Sequence, residues 1–142
     1  MMTANHSVIG KLILAISCLL SLRPEPQAAT VDFSHDIYPI LSDRCFACHG
    51  PDAEARKADL RLDQEAFLNE LSSDGDRLIT PGNALTSLLI QRILSEDPDD
   101  QMPPPSSFLH LSTQEKQRLQ AWVDSGATWG KHWAFEKIHK PA

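Results

Sequence analysis

The stretch DRCFACHGPD, residues 43 to 52, sets two cysteines two residues apart with a histidine directly after the second. A C-x-x-C pair alone serves a disulfide, half of a zinc site or a redox dithiol, so its neighbours and its compartment decide what the thiols hold. That decision also constrains the fold. A chain of 142 residues supports one domain with a single modest core. Any large group held by the thiols replaces much of that core.

The compartment is legible at the start of the chain. After Lys11 comes LILAISCLLSL, residues 12 to 22. This run has the length of a signal-peptide h-region and is too short to span a hydrocarbon core of roughly 30 Å. RPEPQAAT follows, polar and Pro-containing, with small residues at Ala28 and Ala29 that suit cleavage near Ala29. The expectation is a signal peptide over residues 1–29 and an exported protein, periplasmic or secreted, with no membrane span in the mature chain. Cys18 lies inside the apolar run and reads as a small residue discarded with the signal. The mature chain then keeps only Cys45 and Cys48. In an oxidising compartment two thiols this close form a disulfide unless something else captures them.

Charge excludes one class of partner. The formal net charge is −6, whereas binding nucleic acid needs a basic face that releases counterions from phosphate.

The pattern along the chain predicts short helices and no strand-rich sheet. In DFSHDIYPILSDRC, Ser34 is a plausible N-cap, and Ile37, Ile40 and Leu41 share a face at helical spacing. Pro39 makes that helix start late or bend. A second helix is expected from about Gln64. In LITPGNALTSLLIQRILSED a Pro-Gly turn precedes a helix with Leu85, Leu88, Leu89 and Leu94 apolar, and with Arg92 and Glu96 facing water. DPDDQMPPPSSF is too rich in proline for a helix and reads as a stiff extended segment that holds Met102 in one orientation. LSTQEKQRLQAWVDSGA closes the domain, with Ser112 and Glu115 as a capping box, Leu119, Trp122 and Val123 as the apolar stripe and Gly126 as the stop. The expected division is a haem domain over 30–128, for reasons that follow, and an aromatic and basic tail over 129–142.

Zinc is a poor answer for the cysteine pair, because a structural site needs four ligands and no second Cys or His pair exists at matched spacing. A thioredoxin-like dithiol needs a strand leading into the motif, and the surrounding segments read as helical. C-x-x-C-H suits covalent haem. The two thiols add to the porphyrin vinyl groups, and the turn between them aims the next imidazole at the iron. Cys45 and Cys48, three positions apart, lie on one helix face, so both reach one porphyrin while His49 points along the iron axis. The cofactor expected is haem c with its iron.

A second axial ligand must come from elsewhere. Met102 is the only mature methionine, and its proline-stiffened loop lowers the ordering cost of holding it over the haem face. His35 and His110 are alternatives, read more simply as solvated or capping histidines; His132 and His139 lie in the tail and carry the same reading more strongly. Ile37, Leu41, Phe46, Leu60, Leu88, Leu119 and Trp122 are expected as pocket walls or ordinary core. Arg44 and Arg61 are candidates to face a propionate, with a solvated arginine the commoner outcome.

The order CFACHG, QMPP and a final helix ending AWVDSGA resembles the small class I cytochromes c. More closely, FSHDIYPILSDRCFACHGPD, KADLRLD, ITPGNALTSLLIQRI, DQMPP and LQAWVDSGATWGKHWAF resemble the planctomycete cytochrome c domain, over roughly Val31 to Phe135. The resemblance implies an all-α, small cytochrome c-like helical fold wrapped around one covalent haem. It implies Cys45 and Cys48 as thioether attachments, His49 as proximal ligand and Met102 as distal ligand. In that family the domain sits at the N-terminus of much longer exported proteins. This chain is thus expected to be a truncated or split relative, or a lone module. In many small cytochromes c a Gly-Pro pair well after the histidine supplies the carbonyl that fixes the imidazole. Here Gly50 and Pro51 follow His49 at once, which leaves the acceptor for His49 open.

The functional expectation is a mono-haem one-electron carrier or relay, not an enzyme, working with a redox partner protein or a fused downstream domain. The alternatives are a haem sensor or a partner-binding module, in which Met102 detaches, and an enzyme fragment with an open iron. No distal histidine and arginine pair supports the last.

Overall fold

The computed structural model describes residues 31–130. The expected signal peptide over residues 1–29, with Cys18, and the tail from residue 131, including His132 and His139, lie outside the described residues. Among the described residues there are four α-helices and no strand, as expected of an all-α fold. They are α1 (Tyr38–Arg44), α2 (Phe46–His49), α3 (Leu88–Leu94) and α4 (Thr113–Asp124), joined by single 3-10 turns at Glu65–Asn69, Ala84–Thr86 and Pro105–Ser107.

Pro39 shapes the start of the chain. A proline is tolerated in the first turn of a helix, where its missing N–H would have no partner. Accordingly α1 begins at Tyr38, and the residues before it, Phe33–Ile37, form one wide π-helical turn. Its cap is Asp32, whose carboxylate accepts from the His35 N–H, rather than Ser34. The Gln64 helix is also shorter than expected: it is the 3-10 turn Glu65–Asn69, which buries Phe67.

The last helix follows its sequence signals closely. Ser112 and Glu115 form the reciprocal capping box. Leu119, Trp122 and Val123 are buried, and Gly126 lies just past the end with a φ of 107°. The Trp122 indole N–H donates to the Thr128 carbonyl at 3.0 Å. Asp124 ties the helix end to the middle of the chain, accepting from the Ala84 N–H at 2.8 Å.

α3 departs from expectation in its buried face. Ser87, fully buried, ends the preceding turn, so Leu85 falls outside the helix and is 75% exposed. The residues α3 packs into the core are Ile90 and Ile93, and Leu94 is 40% exposed.

Ile37, Leu41, Leu119 and Trp122 belong to the core cluster, with Phe46 and Leu60 partly buried against it. At its edge Trp129, assigned above to the tail, packs on Phe33 with ring centroids 4.2 Å apart and meets Phe67 edge-on at 5.6 Å. Truncating a fully buried tryptophan costs roughly 3–5 kcal/mol, and a partly buried one less. Trp129→Ala is expected to destabilise the domain by about 2 kcal/mol, read from thermal or denaturant unfolding.

Candidate haem site

Cys45 closes α1 with its N–H, which donates to the Leu41 carbonyl at 2.9 Å, and opens α2 with its carbonyl. It accepts from the Cys48 N–H at 3.1 Å and from the His49 N–H at 2.8 Å, so C-x-x-C-H is wound into one helical turn. Residues 50 to 62 then strap back onto that turn. The Lys57 N–H donates to the Cys48 carbonyl at 2.7 Å, and the Leu62 N–H to the His49 carbonyl at 2.9 Å. Gly50 makes the exit possible: a Cβ there would lie 2.3 Å from the Phe46 carbonyl oxygen.

The acceptor for His49 lies in the same strap. His49 Nδ1 is 3.3 Å from the Lys57 carbonyl. A carbonyl only accepts, so Nδ1 carries the proton and the Nε2 lone pair is left for a metal. Nothing in the residue types announces this, because the acceptor is a main-chain oxygen. Burial lowers the His49 pKa from its ordinary 6.5, against the opposing pull of the Lys57 carbonyl. The net lowering, set by burial, suits a neutral ligand imidazole.

Linkage gives this shift a direction. With its folded value below the unfolded 6.5, His49 takes up a proton more readily when unfolded. Its contribution is complete above that unfolded value and is lost as pH falls through the window below it. Unfolding of the haem-free protein is expected to become easier as pH drops below about 6.5, and His49→Gln is expected to flatten that dependence when midpoints are measured across pH.

Cys45, Cys48, His49 and Met102 all line one cleft, of about 640 Å³ measured out to its open mouth. Its walls are apolar: Leu62, Leu78, Leu88, Leu89 and Ile93 on one part, Pro103, Pro104 and Leu109 on another. Of the pocket walls expected from sequence only Leu88 faces this cleft; Ile37, Leu41, Leu119 and Trp122 pack behind it in the core. The pattern of apolar positions marks burial, and burial does not distinguish core from cleft.

The thiols are free. Burial pushes the Cys45 thiol up to about 12, partly offset by the Arg44 guanidinium. A redox dithiol needs a low-pKa thiolate, so this thiol is poorly suited to thioredoxin-like exchange. Among the described residues no three His, Cys, Asp or Glu side chains are grouped to hold a lone metal ion. Two thiols, an imidazole and a thioether around an apolar cleft fit a porphyrin with its iron.

The other sequence candidates lie elsewhere. His35 and His110 are exposed and do not line the cleft. Arg61 is turned to Asp63 in a two-point ion pair at 2.7 and 2.6 Å. Arg44 does reach the cleft, with its Nε donating to Glu115 at 3.2 Å. Arg92, expected to face water, lines the cleft as well.

Helical fold and cleft chemistry together define a haem-binding c-type cytochrome. Residues 45–106 match the family model of planctomycete cytochrome C, the family that the motifs resemble. The cofactor is therefore covalently bound c-type haem. The chain is also similar to hydrazine synthase subunit alpha of Kuenenia stuttgartiensis, at 28% identity over 70% of this chain. It spans only 16% of the length of that relative. No solved structure matches. Among the described residues no helix is long and apolar enough to cross a membrane.

Proposed function

We propose that the chain is a one-electron carrier or relay, exported to the periplasm or beyond, with haem attached through Cys45 and Cys48 and its iron held between His49 and Met102. What supports this reading is the convergence of those four side chains, drawn from two distant segments, on one apolar cleft. Haem bound there supplies an Fe(III)/Fe(II) couple. The chain supplies the rest. His49 is oriented by Lys57 and kept neutral by burial. The apolar walls keep water from the cleft, and Met ligation raises the potential relative to bis-histidine ligation. Were His49 and Met102 both to hold the iron, no position on it would be left for a substrate, which favours transfer over catalysis. The electrons pass to and from a redox partner protein or a fused downstream domain.

Expression with a c-type maturation system tests the reading, by intact mass, a pyridine haemochrome spectrum and the weak far-red sulfur-to-iron band of the oxidised protein. A coloured, mass-shifted protein with that band supports it. Covalent haem in a high-spin state without the band would point to the sensor alternative. Met102→His is expected to keep the haem and lower the midpoint potential by a substantial fraction of the roughly 0.8 V that axial ligands span, as measured by redox titration.

The relative favours a second reading. A chain matching a short stretch of a large enzyme subunit suits an electron-transfer module of a larger exported assembly. The site is the same in both readings; they differ in whether the partner is fused or separate.

A further inference from the structure

Met102 sits on a loop with no regular structure until Pro105, so something outside the loop must fix it. Proline stiffens the chain after Met102 but does nothing to anchor its near side. The anchors on that side converge on one residue. The backbone carbonyl of Arg92, in the last turn of α3, accepts from the Met102 N–H at 2.9 Å. This carbonyl is one that the helix end leaves without an internal partner, so the bond satisfies both chains. The Arg92 guanidinium reaches two residues further back along the same loop. Its Nη1 donates to the Asp100 carbonyl at 3.4 Å and forms an ion pair with the Asp100 carboxylate.

We propose that Arg92 is the positioning residue for the distal ligand: it clamps the loop at Asp100 and at Met102, and so holds the Met102 sulfur over the cleft. The proposal rests on Met102 being the distal ligand. α3 is itself fixed, with Ile90 and Ile93 in the core and its first turn bonded to residues 77 and 78 through the Leu88 and Leu89 N–H groups. Arg92 thus transfers the rigidity of the core to a loop that has little of its own. Asp97 orders the loop internally, its carbonyl accepting from the Asp100 and Gln101 N–H groups, but it does not tie the loop to the rest of the fold.

The readout is competition for the iron. Exogenous imidazole displaces a loosely held thioether more easily than a clamped one, because the loop must open before imidazole binds. In the oxidised holoprotein, Arg92→Ala is expected to tighten apparent imidazole binding about fivefold, the factor that one partly exposed ion pair supplies, and to weaken the sulfur-to-iron band. Asp100→Ala removes the same ion pair without touching the cleft wall and is expected to give the same change; the main-chain bond from Met102 to Arg92 survives in both variants, so the change reads the side-chain part of the clamp. The double variant is expected to add little to either single one, and Arg92→Lys to recover part of the loss. Trp129→Ala is the control: it destabilises the fold at a residue that does not line the cleft and is expected to leave imidazole binding unchanged. Wild-type imidazole affinity in both Arg92→Ala and Asp100→Ala would overturn the clamp while leaving Met102 as ligand. Absence of the sulfur-to-iron band from wild-type protein would overturn the ligation itself.

Discussion

The double variant Cys45→Ala, Cys48→Ala is expected to emerge colourless from a host that attaches haem c, with the mass of its bare polypeptide. The reason is the division of labour within the turn. The Cys45 carbonyl winds the turn, and that bond survives the substitution, so the backbone still presents His49 to the cleft. In the proposed attachment the side chains would carry the covalent bonds, and these would not survive. Each single variant keeps one attachment point and is expected to retain haem at reduced yield. The difference between single and double variants separates attachment from folding. A group bound only by the folded state stabilises it by about 4 kcal/mol when present at a thousand times its dissociation constant, and covalent attachment sets at least that level. The colourless variant is accordingly expected to melt well below the holoprotein. A double variant that kept its colour and mass shift would show that the thiols are not the attachment sites.

The C-x-x-C-H turn is legible because it is local: five consecutive residues in one helical turn carry type, spacing and order together. The place of Met102 on the cleft is legible from its proline-rich setting between two helices. α4 was readable because its cap, stripe and stop lie within one continuous segment. What sequence pattern missed depends on contacts between segments. Arg92 looked solvated because it is charged, yet it is four positions from Leu88 and shares its stripe, and that stripe faces the cleft. Leu85 looked buried because it extends the leucine pattern backwards, but the turn at Ala84–Thr86 ends before α3 begins. The Lys57 carbonyl could not be read at all, since every residue has such an oxygen and only the path of the strap selects one.

That strap depends on Gly50, and Gly50→Ala is the second substitution with a large expected effect. The position does not need glycine for its dihedral angles: its φ of −128° is open to any residue. It needs glycine for space. A Cβ at 2.3 Å from the Phe46 carbonyl oxygen and 2.9 Å from the Phe46 Cβ cannot be accommodated by moving a side-chain tip, because the first of these atoms is backbone of α2. Overpacking of this kind costs about 1–3 kcal/mol, and a clash with main chain falls at the upper end. Relief comes only from displacing the strap or unwinding α2. Either one disturbs the Lys57 carbonyl that orients His49 and the turn that aligns the two thiols. Gly50→Ala is therefore expected to lower the yield of covalent haem along with the melting temperature. Gly75→Ala provides the comparison. Gly75 has a φ of 89° and open space around its Cβ position, so alanine there is strained by roughly 1–2 kcal/mol without approaching the site. If stability alone governed haem attachment, the two variants would lose haem in proportion to their loss of stability. The geometry around His49 predicts instead that, at matched stability, Gly50→Ala carries much less haem than Gly75→Ala. Equal haem content in the two would mean that the exit from the turn does not control attachment.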